Sequence, residues 1–163
     1  FLVGGSLVIS NRLDEVVQGF LTFTRPEDLT MAPVPAQVLF EEVLPVVTAE
    51  AGKTGVRVTV DVTADAPEVL GDRALLHQAL LNLAINACHA MPSGGTLTLR
   101  ASRASTGEAL LTIADTGTGI APEHLDKIFN LYFTTKPEGS GIGLALVYRT
   151  VSLHGGDISV QSV

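Results

Sequence analysis

The sequence is poor in the residues that define several protein classes. It has no tryptophan and a single cysteine, Cys88, so no disulfide can form within the chain. Without a disulfide framework, a cytoplasmic location is expected. Basic residues are also few: 10 Lys and Arg stand against 17 Asp and Glu, which gives a net charge of −7. A nucleic-acid groove needs clustered positive charge, so we expect no nucleic-acid partner.

Long apolar runs are absent as well. The stretch at residues 1–9 is too short to span a bilayer and is followed at once by polar residues. We therefore predict no membrane segment here, which leaves open a membrane anchor in a longer parent protein. Hydrophobic residues nevertheless make up 46% of the chain, so most of it should fold. The length fits one compact α/β domain with a short appendage.

The N-terminal appendage has a helical pattern. Apolar residues at spacings of four and three form the seam of a helix that packs on other helices, namely Ile9, Leu13, Val16, Phe20 and Phe23. The helix should end before Pro26, because proline restricts the residue that precedes it. Pro33 and Pro35 then indicate a stiff linker. We predict a partial helical domain at residues 1–26, a linker at 27–35 and the main domain at 36–163.

The main domain alternates between helical and strand patterns. Asp72 is predicted to cap a long central helix that runs to Met91. Two consecutive strands should form a hairpin after this helix. In all, we predict helices at residues 36–51 and 141–154 besides the central one, and strands at residues 56–62, 96–101, 109–114 and 157–163.

Two asparagines stand on the central helix. Asn82 and Asn86 are four residues apart on an otherwise apolar helix, so their amides share one face. Two amides there are costly without partners. Mg²⁺ prefers hard oxygen ligands and keeps several waters while it bridges phosphates, which suits one amide carbonyl from a helix. The pair indicates a polar binding site, and the alternative is two ordinary helix-surface residues.

Two glycine-containing segments have the character of ligand loops. Asp115 follows a predicted strand and precedes Gly117 and Gly119, which allow backbone to approach a ligand closely. Its carboxylate is an acceptor suited to the exocyclic amine of adenine. Farther along, alternating glycines at residues 139–143 open a helix, where free N–H groups and the helix dipole favour an anion such as triphosphate. Either segment alone is also found in ordinary turns.

Taken in this order, the segments Asn82–Ala87, Asp115–Gly119 and Gly139–Leu144 resemble the nucleotide-binding boxes of the GHKL superfamily of ATPases. Residues 128–136 resemble the phenylalanine box of histidine kinases, and residues 10–26 look like the second helix of their dimerisation domain. The resemblance implies the Bergerat fold, an α/β (α+β two-layer) sandwich in which helices cover one face of a mixed β-sheet.

The resemblance also implies roles for individual residues. Asn86 is expected to hold Mg²⁺ and Asp115 to contact adenine. A lid at residues 120–138, in which residues 130–132 depart from the usual family pattern, is expected to bring Lys136 to the phosphates, so that Asn86 and Lys136 are the catalytic residues. The residues expected to contact ATP are Asn82, Asn86, His89, Asp115, Gly117, Gly119, Ile120, Thr135, Lys136, Gly139, Ser140, Gly141, Ile142, Gly143 and Leu144.

The implied activity is that of a two-component sensor histidine kinase, which transfers the γ-phosphoryl group of ATP to a histidine for relay to a response regulator aspartate. No histidine here begins the phosphoacceptor pattern, the four being His77, His89, His124 and His154. We therefore expect the acceptor upstream of Phe1. The expected partners are a histidine-bearing dimerisation domain, a response regulator receiver domain and, through the helix at residues 9–26, a second copy of the chain.

Two other functions stay open at this point. An ATP-gated regulatory module of the same superfamily would close its lid and switch a partner interface without phosphoryl transfer. A serine kinase of the anti-sigma type is a third option. ATP hydrolysis of the chaperone or mismatch-repair type is disfavoured, because it uses a glutamate on the central helix. Here that helix has no carboxylate between Asp72 and Asn86.

Overall fold

A computed structural model describes residues 29–137 and 139–162 of the protein. The predicted dimerisation helix at residues 9–26 lies outside the described residues. No helix within these two ranges is long and apolar enough to cross a membrane. The elements in chain order are β1 (Met31–Val34), α1 (Ala36–Gly52), β2 (Val56–Val62), β3 (Val69–Asp72), α2 (Arg73–His89), β4 (Gly95–Arg103), β5 (Ala109–Asp115), α3 (Pro122–Leu125) and α4 (Gly143–Leu153).

The strands pair in both directions. β2 runs parallel to β4, and β4 runs antiparallel to β5, so β4 is the middle strand of a three-stranded sheet. β1 and β3 form a separate antiparallel pair. A parallel pair needs a crossover connection, and here the segment with β3 and α2 connects β2 to β4. The mixed sheet that the resemblance implied is confirmed.

Helices cover one face of the three-stranded sheet. The core joins α1 and α2 to the inward face of β2 and β4, and its fully buried side chains include Leu39, Phe40, Val43, Val47, Leu97 and Leu99. Each such burial stabilises the fold by roughly 2 kcal/mol. On the other face of β2, Arg57, Thr59 and Asp61 are exposed. The two-layer arrangement expected from the sequence is therefore present.

The central helix α2 begins where the sequence predicted. Asp72 is its N-cap, and Asp72 Oδ1 accepts hydrogen bonds from the N–H groups of Ala74 at 3.0 Å and Leu75 at 3.2 Å. These bonds satisfy donors that the first helical turn leaves without intrahelical partners. The helix consequently carries Asn82 in its middle and Asn86 in its last turn.

Two predictions need correction. Residues 31–34 were assigned to the linker but form β1, whose partner β3 was not predicted; Pro33 lies opposite Leu70. A short two-stranded sheet tolerates proline because it consists of edge strands. The strand predicted at residues 157–163 is wrong over the described part, since residues 157–162 have no strand pairing. An alternating pattern forms a strand only where a neighbouring backbone edge pairs with it.

Candidate functional site

The two asparagines of α2 face the start of α4. Asn82 Nδ2 lies 3.5 Å from the carbonyl oxygen of Gly143, at the long end of hydrogen bonding. A Cβ placed on Gly143 would lie 3.7 Å from Asn82 Cγ and 4.0 Å from Asn86 Nδ2. Both asparagine side chains are half-buried. The fold thus joins Asn82, Asn86 and Gly143 in one cluster, although Asn82 and Gly143 stand 61 residues apart.

The Asp115 loop lies against the C-terminal end of α2. Asp115 is exposed at the end of β5, and its Oδ1 accepts a hydrogen bond from the N–H of Gly117 at 2.8 Å. A Cβ on Gly117 would lie 2.6 Å from the carbonyl oxygen of Ala90, so a side chain has no room there. The N–H of Thr118 donates to the same oxygen at 3.0 Å. Asp115 Oδ1 and the Ala90 carbonyl oxygen therefore shape the turn. Ala90 lies about one helical turn beyond Asn86.

The lid contacts the glycine-rich loop through its backbone. The N–H of Tyr132 donates to the carbonyl of Gly141 at 2.8 Å. Gly141 has a φ of +69°, and a Cβ there would lie 2.4 Å from the Tyr132 carbonyl carbon. Only glycine fits both the left-handed conformation and this close approach. The contact places the predicted phosphate loop directly under the lid.

Lys136 belongs to a tight turn on the lid. Thr134 Oγ1 accepts a hydrogen bond from the N–H of Lys136 at 3.1 Å, and a Cβ on Gly139 would lie 2.3 Å from the same oxygen. Thr135 and Lys136 are exposed. The surrounding protein nevertheless withdraws some water from the Lys136 ammonium group, and this desolvation lowers its pKa. The approach of Lys136 to phosphates stays a prediction.

The remaining predicted residues are spread around this cluster. His89 is paired with α1, its Nε2 lying 3.2 Å from Glu50 Oε1, so the structure does not bring it into the asparagine cluster. Ile120 donates its N–H to Ser162 Oγ at 2.7 Å. Ile142 is 4% exposed and offers a ligand only its backbone. Gly119 has a φ of +71°, and Ser140 and Leu144 are half-buried on the path from the lid into α4.

Three residues that shape the site had no predicted role. Ala90 acts through its carbonyl oxygen, which no sequence pattern reveals. Thr116 Oγ1 accepts a hydrogen bond from the N–H of Thr96 at 3.0 Å and so ties the Asp115 loop to β4. Tyr132 had a signal in the sequence, because it stands in the part of the lid that departs from the family pattern. Its contact with Gly141 is nevertheless made by backbone atoms, which the identity of the side chain does not predict.

A cleft of about 300 Å³ lies elsewhere, on the side of α4. The rings of Phe129 and Tyr148 meet there with their centroids 5.6 Å apart. Its lining residues are Phe129, Leu131, Ala145, Tyr148, Arg149 and Ser152. None of them is a predicted ATP contact. The asparagine cluster is therefore identified by its chemistry and not by the depth of a cavity.

Comparison with known proteins agrees with this geometry. Residues 71–163 match the family of histidine kinase-, DNA gyrase B-, and HSP90-like ATPases. The chain is similar to the sensor histidine kinase ZraS of Salmonella typhi, with 36% identity over 154 residues, covering 94% of this chain and 33% of that protein. It therefore spans about a third of the length of that relative.

Two solved structures are also similar. Full-length ShkA in complex with AMPPNP shares 30% identity at a TM-score of 0.78, covering 94% of this chain and 32% of that one. The mycobacterial sensor histidine kinase MprB shares 34% identity at a TM-score of 0.66, covering 77% and 81%. The asparagine cluster, the Asp115 loop and the lid thus lie in a chain that belongs to the histidine kinase-, DNA gyrase B-, and HSP90-like ATPase family.

Proposed function

We propose that this chain is the catalytic, ATP-binding part of a two-component sensor histidine kinase. The observation that carries the proposal is the convergence of Asn82 and Asn86 on Gly143, where the glycine-rich loop enters α4. Family membership and the similarity to sensor histidine kinases support the same reading. The ligand would be Mg-ATP, and the reaction would be transfer of its γ-phosphoryl group to a histidine.

The adenine would be read by Asp115. Its Oδ1 is engaged by the N–H of Gly117, and an ionised carboxylate retains a second acceptor oxygen for the exocyclic amine of adenine. The absence of side chains at Gly117 and Gly119 lets the base approach the loop backbone. Guanine and hypoxanthine carry an acceptor where adenine carries this amine, so Asp115 would select for adenine.

The phosphates would lie at the N-terminus of α4. Backbone N–H groups at residues 140–143 and the positive end of the helix dipole favour an anion there. The lid contact between Tyr132 and Gly141 would cover this loop. Excluding water from it strengthens the attraction between Lys136 and the phosphates.

The described residues fit a magnesium ion held mainly by its substrate. Within residues 29–137 and 139–162, no group of three or more His, Cys, Asp or Glu side chains could hold a metal ion. Mg²⁺ that retains waters and bridges phosphates needs only one or two protein ligands. Asn86 would supply one amide oxygen from its half-buried position. When bound, the ion would neutralise charge on the phosphates.

The protein's part in the transfer would be positioning and charge stabilisation. The bond from the γ-phosphorus to the bridging oxygen breaks as a bond to a histidine nitrogen forms, and ADP leaves. Asn86 and Lys136 would act on the phosphates, whereas the accepting imidazole would come from another segment. Holding ATP and the imidazole in line would make the transfer effectively unimolecular and so lower its barrier.

The proposed setting is a cytoplasmic parent protein, with or without a membrane anchor. Residues 1–26 would be the end of the dimerisation domain and pair with a second copy through residues 9–26. The linker would be residues 27–30, since β1 begins at Met31, and the catalytic domain would follow it. The histidine-bearing domain and a response regulator receiver domain would be the other partners.

The test combines this chain with the histidine-bearing dimerisation domain of its parent protein and ATP labelled at the γ-phosphate. We expect acid-labile label on the dimerisation domain, and much less label when Asn86→Ala replaces the wild type. ATP binding without label would instead favour the ATP-gated regulatory module. Failure to bind Mg-ATP would overturn the proposal altogether.

A further inference from the structure

The ring of His154 links the C-terminal end of α4 to the N-terminal end of α2. Its Nε2 lies 2.8 Å from the backbone N of Asp72, and its Nδ1 lies 2.6 Å from the carbonyl oxygen of Thr150. A backbone N–H only donates and a carbonyl oxygen only accepts. Nε2 therefore accepts a hydrogen bond from the Asp72 N–H, and Nδ1 donates one to the Thr150 carbonyl oxygen.

The position of this link matters because α2 and α4 run in opposite directions. The start of α4 at Gly143 lies beside Asn82, and the residue after its end, His154, reaches Asp72. From Gly143 to His154 the helix rises about 16 Å, and from Asp72 to Asn82 α2 rises about 15 Å. The two contacts thus lie at opposite ends of one helix pair, and the far contact joins residues 82 positions apart.

The buried side chains between these ends limit how far α4 can slide along α2 less sharply than a hydrogen bond does. Ala145 and Val147 are buried at 4% and 0% exposure, but apolar burial is non-directional. A hydrogen bond of 2.8 Å to a backbone N–H tolerates only a small displacement. His154 consequently supplies a directional contact that limits the axial position of α4 at this end.

Glycine at position 71 makes room for the ring. Gly71 is buried, and a Cβ there would lie 2.7 Å from His154 Cδ2, 3.0 Å from Nε2 and 2.6 Å from Leu76 Cδ1. Any side chain at this position would push the imidazole away from Asp72. The position of the His154 ring therefore depends on glycine at position 71 in β3.

We propose that His154 is a positioning residue for nucleotide binding. By holding the end of α4 to the backbone of Asp72, it sets the distance between the glycine-rich loop at Gly143 and the amides of Asn82 and Asn86. It touches neither the nucleotide nor the reacting atoms. This inference rests on the proposed function of the asparagine cluster as the Mg-ATP site.

The test compares two substitutions in the full chain. In His154→Gln, the side-chain oxygen takes the place of Nε2 and can accept from Asp72, whereas His154→Asn has an amide that donates to Thr150 but does not reach Asp72. Titration calorimetry with Mg-ATP should give about a fivefold higher Kd for His154→Asn and a Kd close to the wild type for His154→Gln. Leu153→Ala, at an exposed neighbouring position, is the control and should bind normally.

A second variant covers the case in which His154→Asn fails to fold. Gly71→Ala should raise the Kd for Mg-ATP by a similar factor, and the double variant should be no weaker than either single one, because both remove the same hydrogen bond. Additive effects, equal weakening by His154→Asn and His154→Gln, or an unchanged Kd in His154→Asn would each overturn the inference. A wild type that does not bind Mg-ATP would overturn the proposed function as well.

Discussion

Tyr132 and Gly141 meet backbone to backbone, and both adopt left-handed conformations with φ of 67° and 69°. Among the described residues, Tyr132 is the one non-glycine residue with positive φ. Such a conformation costs on the order of 1–2 kcal/mol for a residue with a side chain. It persists here because the Tyr132 N–H is bound to the Gly141 carbonyl. The lid is thus held on the glycine-rich loop by main-chain atoms.

Gly141→Ala should therefore weaken nucleotide binding. The added Cβ would collide with the Tyr132 carbonyl and force the lid away, and we expect the Kd for Mg-ATP to rise on the order of tenfold. Gly55→Ala is the matched control, because Gly55 has a φ of +74° but open space around its Cβ position. Gly55→Ala should introduce a similar backbone strain while leaving the Kd for Mg-ATP unchanged. Equal Kd values for the two variants would contradict the role of the lid contact.

Asp115→Asn should change which base the protein prefers. The amide oxygen can still accept from the Gly117 N–H, so the turn survives, but an NH₂ group that only donates replaces the second oxygen. We expect a Kd for ATP about 10- to 100-fold higher and a smaller preference of ATP over inosine triphosphate. Competition calorimetry with the two nucleotides measures both effects. A variant that keeps the full preference would remove Asp115 from base recognition.

Asn86→Ala should weaken nucleotide binding by removing a ligand of Mg²⁺. We expect this variant to bind Mg-ATP about tenfold more weakly and to lose most of the difference between titrations with and without Mg²⁺. Gln78→Ala removes an exposed amide from the same helix and serves as the control. If Asn86→Ala weakened metal-free ATP just as much, the residue would contact the nucleotide without the ion.

Lys136→Met should reduce phosphoryl transfer more than ATP binding. Desolvation already lowers the pKa of this ammonium group, so a phosphate anion beside it restores a favourable environment for its charge. We expect kcat to fall about tenfold or more, with a smaller change in KM. Lys127→Met, at an exposed position near the start of the lid, should leave both constants unchanged. If ATP binding weakened while kcat stayed unchanged, Lys136 would stabilise bound ATP and not the transition state.

Asp72→Ala should destabilise the fold in a pH-dependent way. Burial acts to raise the pKa of Asp72, but hydrogen bonds from the backbone N–H groups of Thr30, Leu75 and Ala74 outweigh it and lower the pKa from its ordinary value of 3.8. The stabilisation is thus fully present above pH 3.8 and is lost as the pH falls through the lowered pKa.

Urea unfolding measures this effect. At neutral pH, Asp72→Ala should cost about 1 kcal/mol of unfolding free energy, and the difference from the wild type should shrink well below pH 3.8. Asp72→Asn keeps an acceptor for the helix cap, so its unfolding free energy should lie between those of the wild type and Asp72→Ala. A difference that is constant with pH would mean that the ionised carboxylate has no part in capping.

Most of the secondary structure followed from the sequence because its signals are local. Asp72 before an apolar helical run predicted the start of α2, and alternating Val residues predicted β2. The strand predicted at residues 157–162 was wrong because strand formation also needs a neighbouring backbone. The alternating residues there have no paired strand in the described part of the chain. β1 and β3 were missed because each has only four residues and each depends on the other.

Sequence patterns alone predict that Asn82 and Asn86 share a helix face, that Asp115 ends a strand beside two glycines, and that a glycine-rich loop opens a helix. The folded chain adds three contacts that those patterns do not predict: Gly143 faces the asparagines, Tyr132 contacts Gly141, and His154 binds the backbone of Asp72. The first set depends on helix and strand periodicity, which neighbouring residues fix. The second set joins distant segments, largely through backbone N–H and C=O groups that every residue carries and no sequence pattern distinguishes.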